Sequence, residues 1–510
     1  MSTVLTLLCL CSLTLFTAAD CKVFTPELTS KIEAFVEKYM QAYGPVGLSL
    51  AVVKGNETWT RGFGMADKAS QRPVDSSTLF ALASSTTVFT STLLGMLMDE
   101  SKSGYTWNTP VKDILGSDFQ LENDYITNHT TLKDILAGRT GLSSSLTPIL
   151  AGVEMSRQNL TRRIQYLPAV EEFRDVLNYN LWMYTLAGRV AEVMGGASWE
   201  ELLHQRIFQP LQMTDSRVIG YNVKVDADNF ALPYVWHRND VVLSDSAIYR
   251  FTPVEPTIGI ATSAGDMAKW LSFHLREGKT ADGVPLLKKE TLKETYKLQM
   301  ALPGTFNYAK KPKDPVTFGV YGTSFCWFLS YYRGYQVEWT GGGLYSYNNF
   351  IALIRDVDLG IYFSTTALFD TNIYKRFEIF YYIVDLLLGE VPWRNTTTFP
   401  KFSLAPDRNA TNTTYTPVVV PYIVENPELF EGTYGNRLFG DVSISRNTSG
   451  ELLVSYGRIL GKLRKTNSTN VLLADLYGPL EFLHIAEMTW STSKSPSPHQ
   501  VNLVSTSRSC

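Results

Sequence analysis

The chain has 510 residues, of which 45% are apolar and 19% charged, the balance of a globular protein with at least one large core. Its 46 basic and 49 acidic side chains leave a formal charge of −3 with no run of five like charges, so neither nucleic acid nor an anionic membrane surface is expected as a partner. The six histidines, His129, His204, His237, His274, His484 and His499, are not paired at metal-ligand spacing, so neither a metal nor a cofactor is expected.

Val4 to Phe16 is an apolar run followed by Thr17-Ala18-Ala19-Asp20. Small residues between such a run and a polar residue predict a signal peptide over residues 1–19, hence secretion. The run is short for a bilayer span, and no later stretch of about 18 uncharged apolar residues predicts one in the mature chain. Cleavage would leave Cys21, Cys326 and Cys510. Cys326, in Ser324-Phe325-Cys326-Trp327-Phe328, has the setting of a buried strand thiol. Cys21 and Cys510 stand at opposite ends and can pair, because domain termini often lie close together.

Thr25-Pro26-Glu27 predicts a helix start, and Leu28, Ile32, Phe35 and Tyr39 follow at helical spacing. Gly47 to Val53 and Thr58 to Phe63, joined by Lys54-Gly55-Asn56-Glu57, predict a β-hairpin. Thr86 to Glu100 and Asn180 to Met194 predict two apolar, buried helices, the second stopped by Gly195-Gly196. Gln336 to Trp339, Phe350 to Ile354 and Gly360 to Ser364 predict neighbouring strands. This order predicts an α/β fold: an antiparallel sheet flanked by helices, built from both ends of the chain, with an inserted all-helical lobe. Phe430 to Tyr434, Val442 to Ser445, Glu451 to Tyr456 and Asn470 to Leu473 then predict a small C-terminal β domain.

Asn-X-Ser/Thr sequons fall at Asn56, Asn128, Asn159, Asn395, Asn409, Asn412, Asn447 and Asn467, three of them within a Thr/Asn/Pro stretch. The predicted organisation is a signal peptide over 1–19, a main domain over 20–394, a glycosylated linker over 395–425, a β domain over 426–495 and a tail over 496–510.

Pro45 to Val53, Arg61-Gly62-Phe63-Gly64-Met65-Ala66-Asp67 and Thr78 to Ser84 occur in order. They are followed by Thr131 to Leu136, Arg139-Thr140-Gly141-Leu142, Trp182 to Gly188 and Thr262 to Ala268. Together these segments, within residues 25 to 390, resemble the class C β-lactamase and penicillin-binding-protein-like family, which includes D-alanyl-D-alanine carboxypeptidases. The C-terminal module is similar to the β domain that often follows in that family. The resemblance implies a cleft between two lobes where three elements meet. They are a Ser-x-x-Lys helix start, a Tyr-x-Asn motif, and a strand carrying Lys or His, a small residue and Gly.

All three are altered here. Ser84-Ser85-Thr86-Thr87 keeps the nucleophile position but has Thr87 for the lysine. Tyr179-Asn180-Leu181 keeps the tyrosine and replaces the amide with Leu181. In Glu338-Trp339-Thr340-Gly341-Gly342-Gly343, aligning the glycines puts Thr340 at the Lys/His position and a shift by one puts Trp339 there; Thr340, Gly341 and Gly342 would line the substrate site. Trp339 is expected to cover the cleft wall, and an amide near Gly342 to help form an oxyanion hole. With tyrosine pKa near 10, about one in a thousand is phenolate at pH 7, and a positioned base is worth roughly 10²–10⁴ in rate.

Ser84 is therefore either a relic, serving as helix N-cap, or a live nucleophile if Lys133 or Arg174 reaches it. Some animal members of the family occur in secreted organic matrices, including those of mineralised shells. The expectation is a secreted, catalytically impaired relative with a binding or structural role, its partners being extracellular matrix components or a small ligand. The alternative is an active serine hydrolase working through a Ser84 acyl-enzyme.

Overall fold

The computed structural model describes residues 22–144, 151–152, 154–224, 228–237, 240–249, 251–302, 316–367, 373–399, 424–465, 471–483, 485–491 and 500–505. The expected signal peptide, the Cys21–Cys510 pair and the sequons Asn409, Asn412 and Asn467 lie outside them. Five helices organise the main body: α1 (Pro26–Tyr43), α2 (Thr86–Glu100), α3 (Leu181–Gly195), α4 (Ala264–Leu275) and α5 (Ile373–Leu387). In α1 the Thr25 hydroxyl accepts from the Leu28 N–H at 3.3 Å, Pro26 occupies the first turn, and Gly44 closes the helix at φ 64.

The central sheet has nine strands: β1 (Gly47–Lys54), β2 (Glu57–Asp67), β3 (Arg72–Pro73), β4 (Met300–Ala301), β5 (Phe318–Thr323), β6 (Phe328–Tyr332), β7 (Tyr335–Leu344), β8 (Tyr347–Ile354) and β9 (Leu359–Thr366). Their order is β3-β2-β1-β9-β8-β7-β6-β5-β4, antiparallel at each pairing. The strands β8 and β9 are buried along their whole length because helices cover both faces. Ile32, Phe35 and Val36 of α1 join Phe377, Phe380 and Ile383 of α5 against one face. Leu271 of α4 packs on the other, 3.1 Å from where a Cβ on Gly360 would lie.

The inserted lobe is built mainly of helices and also carries two small sheets. One joins Phe80–Ala81, Ile260–Thr262 and Arg217–Val218; the other pairs Tyr234–His237 with Asp240–Leu243. Every residue of α2 from Thr86 to Met98 is buried, as an apolar run without a polar face requires. Its buried hydroxyls are satisfied locally: Thr92 donates to the Val88 carbonyl at 2.9 Å and Thr90 to that of Pro256 at 2.6 Å.

The C-terminal module is a meander of seven antiparallel strands, Gly432–Asn436, Gly440–Arg446, Leu452–Tyr456, Ile459–Lys465, Val471–Tyr477, Ile485–Ser491 and Gln500–Ser505. The last lies inside the expected tail 496–510, which is thus partly strand, because it pairs with Ile485–Ser491 along its length. Phe439 of the module meets Trp182 of α3 at 4.6 Å between ring centroids, and the apolar core runs on from the helical lobe into the module. Among the described residues no helix is long and apolar enough to cross a membrane. Asn56, Asn128, Asn159 and Asn395 are exposed, and Asn447 is half-buried.

Candidate active site

Ser84 lies in a short 3₁₀ turn, Ala83–Ser85, that leads into α2. Ala83 takes φ 45, a left-handed conformation that strains any residue with a Cβ and persists only where neighbours enforce it. They do so here. The Leu82 N–H donates to the Ile260 carbonyl at 2.8 Å, and the Leu82 carbonyl accepts from Asn349 Nδ2 at 2.7 Å. Asn349 Oδ1 also accepts from Ser85 Oγ at 2.6 Å and from the Gly342 N–H at 3.1 Å. One buried amide on β8 thus rivets the serine turn to the glycine strand. It also occupies the Gly342 amide on which the oxyanion expectation was centred. The capping role open to Ser84 is not realised: Ser85 is the N-cap of α2 and makes no side-chain cap bond. Ser84 itself is half-buried.

The Tyr179 phenol stands near the Ser84 hydroxyl, whose influence lowers the phenol's pKa. Tyr179 immediately precedes Asn180, the N-cap of α3, whose Oδ1 accepts from the Trp182 N–H at 3.0 Å. Asn180 Nδ2 donates to the carbonyls of Leu142 and Ser143 at 2.9 and 3.1 Å, which fixes the strand-to-helix corner carrying the phenol. Although Tyr179 is 42% exposed, the protein around it raises the phenol's pKa above its ordinary value, and the neighbouring Ser84 hydroxyl opposes this only in part. Tyr184 stands beside it at 5.3 Å between centroids, its own pKa raised by burial.

Cys326 completes the cluster and corrects the reading of it as a strand thiol. It sits in the turn Ser324–Trp327 between β5 and β6, at φ 68, with Ser324 N–H bonded to the Trp327 carbonyl at 2.8 Å. Its thiol donates to the Leu136 carbonyl at 3.9 Å and lies near Thr87. Burial pushes the thiol up to about 12, so it is neutral at physiological pH. A hydroxyl and a neutral thiol therefore stand where the resemblance implies an ammonium.

Strand alternation resolves the two alignments of the third motif. A Cβ on Gly342 would fall 2.1 Å from the Leu82 carbonyl oxygen, on the serine side, whereas one on Gly341 would face Arg376 Nη1 at 2.8 Å. Thr340 shares the face of Gly342, and Trp339 that of Gly341. Trp339 is fully buried, stacked on Phe328 at 4.4 Å and edge-on to Phe377 at 4.9 Å. It packs beneath α5 and does not cover the cleft wall, a correction that follows from the period of two along β7. Leu181 is buried in the core of the helical lobe, and its carbonyl accepts from Thr185 and Thr257.

The two nearest cations in sequence are committed elsewhere. Arg174 donates through Nε and Nη2 to Asp134 at 2.9 and 2.7 Å and through Nη2 to the His129 carbonyl at 2.8 Å. Lys133 Nζ lies 3.4 Å from Glu294 Oε1. Among the described residues, no ammonium or guanidinium is hydrogen-bonded to Ser84, and no cluster of His, Cys, Asp and Glu is arranged to hold a metal.

The β-lactamase family model matches residues 32–377, which span the sheet, the helical lobe and the whole Ser84 cluster. An unguisins hydrolase of Aspergillus campestris is 25% identical over 360 residues, 68% of this chain and 63% of its own length, so the chain spans less than two thirds of that relative. Gigasin-6 of Magallana gigas is 24% identical over 244 residues, 46% of this chain and 78% of that one. The octameric penicillin-binding protein homologue of Pyrococcus abyssi superposes with a TM-score of 0.60 at 17% identity, covering 94% of this chain and 98% of its own, so the shared fold extends into the C-terminal module. With the match extending over most of the chain, from α1 into α5, the protein belongs to the β-lactamase family, whose members are built on a serine hydrolase fold.

Proposed function

We propose that this is a secreted, glycosylated relative of the β-lactamases whose Ser84 site is catalytically impaired and which serves a binding or structural role in an extracellular matrix. The observation that carries the reading is the company of Ser84. Its hydroxyl meets a phenol whose pKa is raised rather than lowered, while Thr87 and Thr340 fill the two positions for cations. A free tyrosine is about one part in a thousand phenolate at pH 7, and Tyr179 is poorer still. Proton removal from Ser84 therefore lacks the base that typically contributes roughly 10²–10⁴ in rate. The leader-like residues 1–19, the exposed sequons and the likeness to Gigasin-6 support the extracellular part of the reading.

A second reading, hydrolysis of an ester or amide through a Ser84 acyl-enzyme, is favoured by the nearness of the Tyr179 phenol to Ser84 and by the likeness to the unguisins hydrolase. Fluorophosphonate and benzylpenicillin, followed by peptide mass spectrometry, separate the two. Folded protein that stays unlabelled at Ser84 supports impairment. Labelling at Ser84 that is abolished in Ser84→Ala supports the hydrolase.

A further inference from the structure

The helix Trp199–Leu203, capped by Ser198 Oγ accepting from the Glu201 N–H at 3.3 Å, runs straight into a π turn over His204–Phe208. There the Gln209 N–H donates to the His204 carbonyl, five residues back, at 2.9 Å. Turns widened in this way are frequent at functional sites. This one stands beside the strand Arg217–Val218, the free edge of the three-stranded sheet whose opposite edge, Phe80–Ala81, leads to Ser84.

Two adjoining hollows of about 310 and 430 Å³ lie between the turn and the strand and share His204, Phe208 and Asn222. Phe208 is buried and held edge-on by Phe89 of α2 at 6.4 Å, which gives the groove a fixed apolar floor. Tyr221, 62% exposed, stands at the rim of the first hollow. Its turn is clamped by Asn222, whose N–H donates to the Val218 carbonyl at 3.0 Å and whose Oδ1 accepts from the Val218 N–H at 2.7 Å.

The side chains of His204, Gln209 and Gln212 line the second hollow and have no hydrogen-bond partner among the described residues. An imidazole and two amides together offer both donors and acceptors. The charges in the lining are balanced: Glu200 is paired with Arg157, and Glu201 is matched by Arg217 of opposite sign. The groove therefore suits an uncharged ligand whose groups both donate and accept and which has an apolar face for the Tyr221 ring. Sugars combine these properties, their hydroxyls lying around the ring and their C–H groups on its faces. An extended peptide suits it less, because the edge N–H of Val218 that a new strand would need is already taken by Asn222.

We infer that this groove is a binding site for a neutral oligosaccharide, with one hollow for each of two successive sugar rings and Tyr221 as the stacking platform. It shares no residue with the Ser84 cluster and binds whether or not that serine reacts. The test is isothermal titration of the full mature chain with cellohexaose, chitohexaose and mannohexaose, beside a sulfated heparin hexasaccharide and a neutral Gly-Ser hexapeptide.

At least one neutral sugar is expected to bind at millimolar concentration or below, and more tightly than the sulfated one. Tyr221→Ala should weaken it by about tenfold, the scale of one lost aromatic contact. Gln209→Ala with Gln212→Ala should weaken it in the same direction, whereas Tyr221→Phe, which keeps the ring, should bind as the natural chain does and guards against a folding defect. The inference is overturned if no neutral sugar binds, or if binding ignores both the Tyr221→Ala and the double glutamine variant. Tighter binding of the sulfated sugar, or peptide binding that depends on Tyr221, would overturn it equally.

Discussion

Thr87 turns its hydroxyl back onto the carbonyl of Ser84 at 2.8 Å, one helical turn away. The position from which the family resemblance implies a base therefore serves the backbone, and it can offer Ser84 no charge.

Restoring charge should restore chemistry. The double variant Thr87→Lys with Thr340→His places a cation at each of the two positions that face Ser84. Fluorophosphonate labelling at Ser84 is expected to rise by about 10²-fold over the natural chain, the lower end of what a positioned base contributes. If the natural chain labels as fast as the variant, impairment is not the consequence of these two residues.

Asn349 is expected to matter to stability beyond its size. Its amide satisfies Leu82, Ser85 and Gly342 at once in a fully buried setting. Asn349→Ala should cost about 3 kcal/mol, because the partners are left buried without bonds. Denaturant unfolding measures the loss.

Trp339 gives the contrasting case. Trp339→Ala should destabilise the fold by about 4 kcal/mol through the cavity left under α5. Because the indole lies on the far face of β7, adding Trp339→Ala to the Thr87→Lys/Thr340→His variant should leave fluorophosphonate labelling at Ser84 unchanged in the folded protein.

A buried histidine predicts acid sensitivity. Burial first, and the Arg355 charge second, lower the pKa of His274 to about 3 from an ordinary value near 6.5. Its Nδ1 is hydrogen-bonded with the Tyr296 hydroxyl, so the ring is held neutral in the fold. Above pH 6.5 neither state protonates it and it adds no pH dependence. As pH falls from 6.5 toward 3 only the unfolded chain takes up the proton, so stability drops by up to about 1.4 kcal/mol per pH unit. His274→Gln should flatten that part of the unfolding-stability curve measured between pH 7 and 5.

What the sequence discloses here is what local pattern encodes. The capped α1, the Gly47–Asp67 hairpin and the all-apolar α2 carry period and punctuation strong enough to bound them within a residue or a few. The strand Ile459–Lys465 escapes because Lys462, Arg464 and Lys465 interrupt its apolar alternation, with Arg464 answered by Asp475 across the ladder. At the site, Ser84 and Tyr179 are legible as motif positions, while Cys326 and Asn349 are not. Each comes from a different part of the chain, and only the folded sheet brings it to the serine. The choice between Thr340 and Trp339 also stays open in the sequence, since three consecutive glycines fit either register. The backbone's alternation decides it.

The pairing of β1 with β9 has a consequence for biogenesis. Gly47 bonds to Thr366, 319 positions later, so the sheet has no central seam until most of the polypeptide has left the ribosome. Contacts this distant are slow to form and leave apolar edges uncovered meanwhile. The nascent hairpin Gly47–Asp67 thus keeps the β1 edge unpaired until β9 has been made.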